Sequence, residues 1–201
     1  MSTLLAASLA LSACVSLGAD VDPPDALLTL SPTATAPAGS GAVTGSEGSA
    51  GAIAVLTPEV PAKLDLVRIP VQVSDTEIAY LQDAVWIEKP ARLFRRLLGE
   101  TLRTRSGDEG AVLVLDSDDT PTLASQSVRG TLLDMGYDAL SGDVVVRFEA
   151  IRTSGEGVVT SRRFEARESV IEGEAEFVGP ALNSVANRVA GEIADWMIGG
   201  E

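Results

Sequence analysis

A strict two-residue alternation in the second half of the chain narrows the fold more than any other feature. Val144, Val146, Phe148 and Ala150 fall on one side of a run in which Arg147 and Glu149 take the other. Phe164 and Ala166 alternate in the same way with Arg163, Glu165 and Arg167. A period of two is the mark of an extended strand. With one apolar and one charged face, such strands belong to an antiparallel sheet covered on a single side. Three long strands are expected over residues 125–139, 143–152 and 158–170, joined by Ser141-Gly142 and by Gly155-Glu156-Gly157. Shorter extended segments are expected at 67–73, 77–81 and 111–115, and at Ile53-Ala54-Val55-Leu56, which Pro58 and Pro61 bring to a stop.

Two segments switch to the helical period. Over residues 88–104, Phe94, Leu97, Leu98 and Thr101 share one face, with Pro90 in the first turn and Ser106-Gly107 at the end. Over residues 176–198, Val178, Leu182, Val185, Val189, Ile193, Trp196 and Met197 form an apolar arc, with Asn187, Gly191 and Asp195 opposite. The expected class is therefore α+β: an antiparallel sheet with two amphipathic helices packed on one face. The core lies within residues 53–198, and residues 53–201 form the domain.

The first 52 residues read differently. Residues 1–13 are apolar or small throughout, about half the length that a membrane-spanning helix needs, and resemble the apolar region of a secretory signal. The run ends Leu11-Ser12-Ala13-Cys14, which matches the bacterial lipobox, in which the cysteine thiol accepts diacylglycerol. Cys14 is the chain's single cysteine, so the expected lipid anchor has one possible attachment point. No Lys or Arg precedes Cys14, although the start of such a signal is normally positive. Val15 follows it where an aspartate commonly retains lipoproteins at the inner membrane, so outer-membrane sorting toward the periplasm is expected. Residues 31–52 are Ala, Gly, Ser, Thr and Pro apart from Val43 and Glu47, too little apolar surface to offset ordering entropy. Residues 14–52 thus read as a lipidated cysteine and flexible tether. The apolar run at 26–30 interrupts it and reads equally as a first strand.

Composition removes most chemistry. The 201 residues carry a formal charge of −14 and include no histidine. Without imidazole there is no Ser-His-Asp triad or Cys-His pair, and a single cysteine excludes an internal disulfide and Cys-based zinc fingers. No activated nucleophile or Gly-rich phosphate loop is visible, Gly130 and Gly136 being isolated. Asp116-Ser117-Asp118-Asp119 lacks the spacing of a calcium loop and reads as a solvated turn. The acidic balance argues against nucleic acid. The expectation is a protein that is not an enzyme and takes no metal or cofactor.

One constellation remains. Lys89, Arg92, Arg96 and Arg103 fall within about 60° of a helical wheel, opposite Phe94 and Thr101. On so acidic a chain this stripe offers a docking face for anionic lipid or an acidic partner. The alternative is a solvated helix face. Trp196, on the apolar arc, and Trp86, before the first helix, read as packing residues.

Taken together, the lipobox, residues 53–63, Glu77-Ile78-Ala79-Tyr80-Leu81 through Trp86 into residues 90–102, Arg147-Phe148-Glu149, Arg163-Phe164-Glu165, and Ala181-Leu182-Asn183 through Ala194-Asp195-Trp196 resemble the ABC-type transport auxiliary lipoprotein family, which includes the lipoprotein of the paraquat-inducible operon. The resemblance covers residues 53–198 and consists of packing signatures. It implies a lipoprotein without catalytic activity, working beside an ABC transporter permease and ATPase and a protein with a mammalian-cell-entry domain. Such a system moves lipids or other apolar molecules between membranes. The alternative weighed beside it is an outer-membrane assembly or structural lipoprotein that supports a β-barrel, as in lipopolysaccharide assembly.

Overall fold

A computed structural model of the chain describes residues 27–38, 52–105, 113–116 and 124–199. Cys14, residues 1–26 and residues 39–51 of the expected tether lie outside them. In chain order the elements are β1 (Ile53–Val55), a single 3-10 turn (Ala62–Leu64), β2 (Arg68–Ser74), β3 (Glu77–Val85), α1 (Pro90–Arg105), β4 (Val114–Leu115), β5 (Gln126–Asp138), β6 (Asp143–Thr153), β7 (Val159–Ser169) and α2 (Ala175–Gly199).

The sheet is built outward from β5. One edge of β5 pairs antiparallel with β6 along its whole length, and β6 pairs antiparallel with β7. The other edge is shared. β1 runs parallel to it at Gln126, Ser127 and Val128, Glu59 bridges Thr131, and β2 runs parallel to it at Tyr137 and Asp138. β4 then pairs parallel with β1, and β3 pairs antiparallel with β2. The α+β class with two helices on one face holds, but the sheet is mixed where the alternation pointed to an antiparallel one. The hairpins are joined by local turns, with Gly142 (φ 77°) and Gly157 (φ 79°) supplying the left-handed positions. The parallel pairs are closed by crossovers through β2, β3 and α1, and strands as short as β1 and β4 carry no signal of their partners.

Both helices pack on the face that bears Val144, Val146, Phe148 and Ala150, all at most 1% exposed. Phe94 of α1 stacks on Phe148 at 5.1 Å between ring centres, and Trp196 of α2 meets Phe164 at 5.7 Å. Phe148 and Phe164 are themselves cross-strand partners, so one aromatic row ties both helices to β6 and β7. Both tryptophans are buried, as their places in the sequence suggested. Gly130 is fixed by close approach, since a Cβ there would lie 2.0 Å from the Glu149 carbonyl oxygen.

Residues 27–38 are not a loose tether. Leu28 N donates to Val85 O and Ile87 N donates to Leu28 O, both at 2.8 Å, so Leu28 extends the β3 edge as a parallel bridge to Trp86. Of the apolar run at 26–30, the described residues 27–30 make one isolated bridge, at Leu28. Leu30 is buried, and a Cβ at Gly179 of α2 would stand 3.2 Å from the Leu28 side chain. The chain then runs as a strap across the outer side of α2.

Candidate functional site

Beyond Leu30 the strap is held by side chains of the helices rather than by burial of its own. Ser31 N donates to Asn183 Oδ1 at 2.8 Å, and Thr33 N donates to Asn187 Oδ1 at 3.0 Å. Asn187 Nδ2 donates to Ser31 O at 2.9 Å and also to Asn183 O at 2.8 Å. Further on, Ala36 N donates to Glu100 Oε1 of α1 at 2.7 Å. Asn183 and Asn187 stand one turn apart and therefore on one face of α2. An Asn pair at i, i+4 in a helix otherwise rich in Ala and Val is the signal that sequence reading passed over, because asparagine is a weak helix former with amide donors and acceptors to place. The same side of α2 holds a second departure from expectation. Gly191, placed opposite the apolar arc, is buried because Arg105 crosses it to pair with Asp195; a Cβ there would be 3.0 Å from the guanidinium.

The basic stripe is largely neutralised. Lys89 Nζ lies 2.8 Å from Asp65 Oδ1, and Arg96 pairs with Glu88. Arg103 is anchored most deeply: it reaches Asp116 Oδ1 at 2.8 Å, Glu100 Oε2 at 3.4 Å and the Val114 carbonyl at 3.3 Å. Burial works against the Arg103 charge, but hydrogen bonding and attraction to Asp116, then Glu100, outweigh it and raise its pKa. Its work is to pin β4 to α1. Arg92 is exposed and has no ion-pair partner among the described residues.

The helix-free face of the sheet carries a cross-strand charge lattice. Arg147 pairs with Glu165, Glu149 with Arg163 at 3.1 Å, Glu165 with Arg167 at 2.7 Å, and Lys63 with Asp134 at 2.9 Å. Hydrogen bonds from Arg147, then Arg167, hold the Glu165 carboxyl down at about 2, and the same bond to Glu165 raises the Arg147 pKa. These groups face one another in satisfied pairs, an arrangement suited to holding a surface rather than to proton transfer. A cleft of about 180 Å³ opens here between Lys63, Gln72, Asp134 and Arg167. A wider groove of about 710 Å³ lies between Val71, Leu81 and Tyr137 on one side and Gly173 and Glu176 at the start of α2 on the other. Among the described residues no group of three potential metal ligands occurs, and no helix is long and apolar enough to cross a membrane.

The family model for the ABC-type transport auxiliary lipoprotein component matches residues 29–194, from inside the strap to near the end of α2. A crystal structure of a protein from Xanthomonas campestris is similar at TM-score 0.63 and 16% identity, over 88% of this chain and 94% of that one. The crystal structure of an uncharacterized protein is similar at TM-score 0.62 and 16% identity, over 71% and 89%. At that identity the likeness is one of fold. No curated protein matches the sequence.

Proposed function

This chain belongs to the ABC-type transport auxiliary lipoprotein family, and from that membership we propose that it is the lipid-anchored auxiliary subunit, without catalytic activity, of an ABC-type system that moves lipids or other apolar molecules between membranes. In this reading Cys14 carries the acyl chains, the protein is sorted to the outer membrane, and the domain faces the periplasm. Its partners are the permease and ATPase and a mammalian-cell-entry-domain protein. The observation that carries the reading is the family match across residues 29–194, which takes in the strap as well as the sheet and helices. The lipobox at Cys14 is consistent with a lipid-anchored component.

Deletion of the gene tests it. The deletion strain is expected to show the same loss of outer-membrane permeability control or lipid asymmetry as deletion of the partner permease, with no added defect in the double deletion. A silent deletion, or defects that add, would contradict membership of one pathway.

A further inference from the structure

Four large apolar side chains stand exposed where the strap joins the sheet. Leu27 is 52% exposed, Leu66 45%, Val67 38% and Ile87 58%. Backbone bonds make them neighbours: Trp86 N donates to Val67 O at 2.8 Å, and Leu28 is bracketed between Val85 O and Ile87 N. This is the β3 edge, the far side of the sheet from β7. The other exposed apolar residues lie elsewhere: Val73 and Ile78 at the opposite end of the β2–β3 hairpin, Leu140 in the turn between β5 and β6, Val158 and Val159 at the start of β7, Ile171 before α2 and Ile198 at its end. Single exposed apolar groups are ordinary, whereas a grouped set asks for a cover. Near these four in sequence, Arg68, Lys89 and Arg92 are balanced by Asp25, Asp65 and Glu88.

The path of the chain says what the cover is. Leu27 is thirteen residues from Cys14. At about 3.3–3.6 Å per residue that stretch spans at most about 45 Å, and as a coil about 20 Å. The backbone bonds of Leu28 to Val85 and Ile87 fix where on the domain this short leash departs. A leash of this length holds the β3 edge at high effective concentration over the lipid, so a small apolar patch suffices to seat it. We propose that the edge formed by Leu27, Leu66, Val67 and Ile87 rests in the head-group layer of the membrane that carries the Cys14 anchor. The seating rests on the anchor assigned above. It turns β7, four strand positions or about 19 Å away, toward the aqueous space where a partner is met.

The test uses the full, acylated chain reconstituted into phosphatidylethanolamine and phosphatidylglycerol vesicles. Acylated Cys14 leaves no free thiol, so Ile87→Cys and Val159→Cys each accept one NBD fluorophore; both sites are exposed, at 58% and 59%. The Ile87 probe is expected to emit to the blue, to be quenched by doxyl-labelled lipid and to resist aqueous iodide, while the Val159 probe stays open to iodide. Equal iodide quenching at both sites overturns the seating. Protection at Ile87 that ignores doxyl lipid and fades on dilution places a second copy of the chain there and overturns it as well. Palmitate incorporation, measured in the same preparation, separates the two claims: without palmitate the anchor falls and the seating with it, whereas palmitate with an iodide-exposed Ile87 probe removes the seating alone.

Discussion

Asn187 reaches back across 156 positions of sequence to donate to the Ser31 carbonyl at 2.9 Å, and the same side chain accepts from Thr33 N. One amide thus closes a small ring with the strap, matching its donor and acceptor to a backbone acceptor and donor as a neighbouring strand would.

Asn187→Ala removes both bonds to the strap, and the one to the Asn183 carbonyl, while keeping a good helix former in α2. At about 0.5–1.5 kcal/mol per hydrogen bond, the expected loss of stability is about 1–2 kcal/mol in a urea titration. Hydrogen exchange should locate it: the amides of Ser31 and Thr33 exchange faster, while those of β5 and β6 keep their protection. Unchanged exchange in the strap would show that Asn183 and Glu100 hold it alone.

The Glu165 carboxyl supplies a pH dependence of known sign. Its pKa is lowered from 4.5 to about 2 by Arg147 and Arg167, so its stabilising contribution is complete above about 4.5 and fades as pH falls toward 2. The stability difference between the natural chain and Glu165→Gln should be constant from pH 7 to 5 and shrink below. Arg147→Gln should move the Glu165 titration, followed by carboxyl carbon NMR, back up toward its ordinary range.

The basic stripe divides into a structural and a solvated part. Arg103→Ala unties Glu100, Asp116 and Val114 at once, and hydrogen bonds to charged groups of this kind cost about 1.5–3 kcal/mol when broken. Arg92→Ala should lie within about 0.5 kcal/mol of the natural chain. Equal denaturation midpoints for the two variants would contradict the role given to Arg103.

Phe148→Ala should be the most damaging of the single changes considered, since Phe148 touches both Phe94 and the Phe164 row. Truncating a buried phenylalanine costs about 3–5 kcal/mol. Calorimetry would show it as a lowered Tm; a variant as stable as the parent would mean that the row does not tie the helices to the sheet.

What the sequence made legible follows from period. β5, β6, β7, α1 and α2 lie within a few residues of their expected bounds because each runs long enough to repeat its burial pattern. The strap was read as loose because Ser31, Thr33 and Ala36 bring no apolar surface; what orders them is hydrogen bonding to Asn183, Asn187 and Glu100, far away in the chain. The stripe looked free for the same reason. Asp65 lies on a different element from α1 and Asp116 follows it beyond β4, and a helical wheel shows none of the partners that folding brings to it. The sheet's parallel pairs were hidden because direction is set by crossovers, not by alternation within a strand.

The proposed lipidation depends on one atom. Cys14→Ser removes the only thiol in the chain, so the variant should accumulate as unprocessed precursor without palmitate while its domain keeps the natural unfolding transition. Equal palmitate labelling of both proteins would overturn the anchor.

The most direct measurement is co-isolation from intact cells. A chain tagged at its C-terminus, cross-linked in the envelope and purified, should bring with it the permease, the ATPase and a mammalian-cell-entry-domain protein, identified by mass spectrometry. Recovery of an outer-membrane β-barrel protein with none of those three would contradict the account.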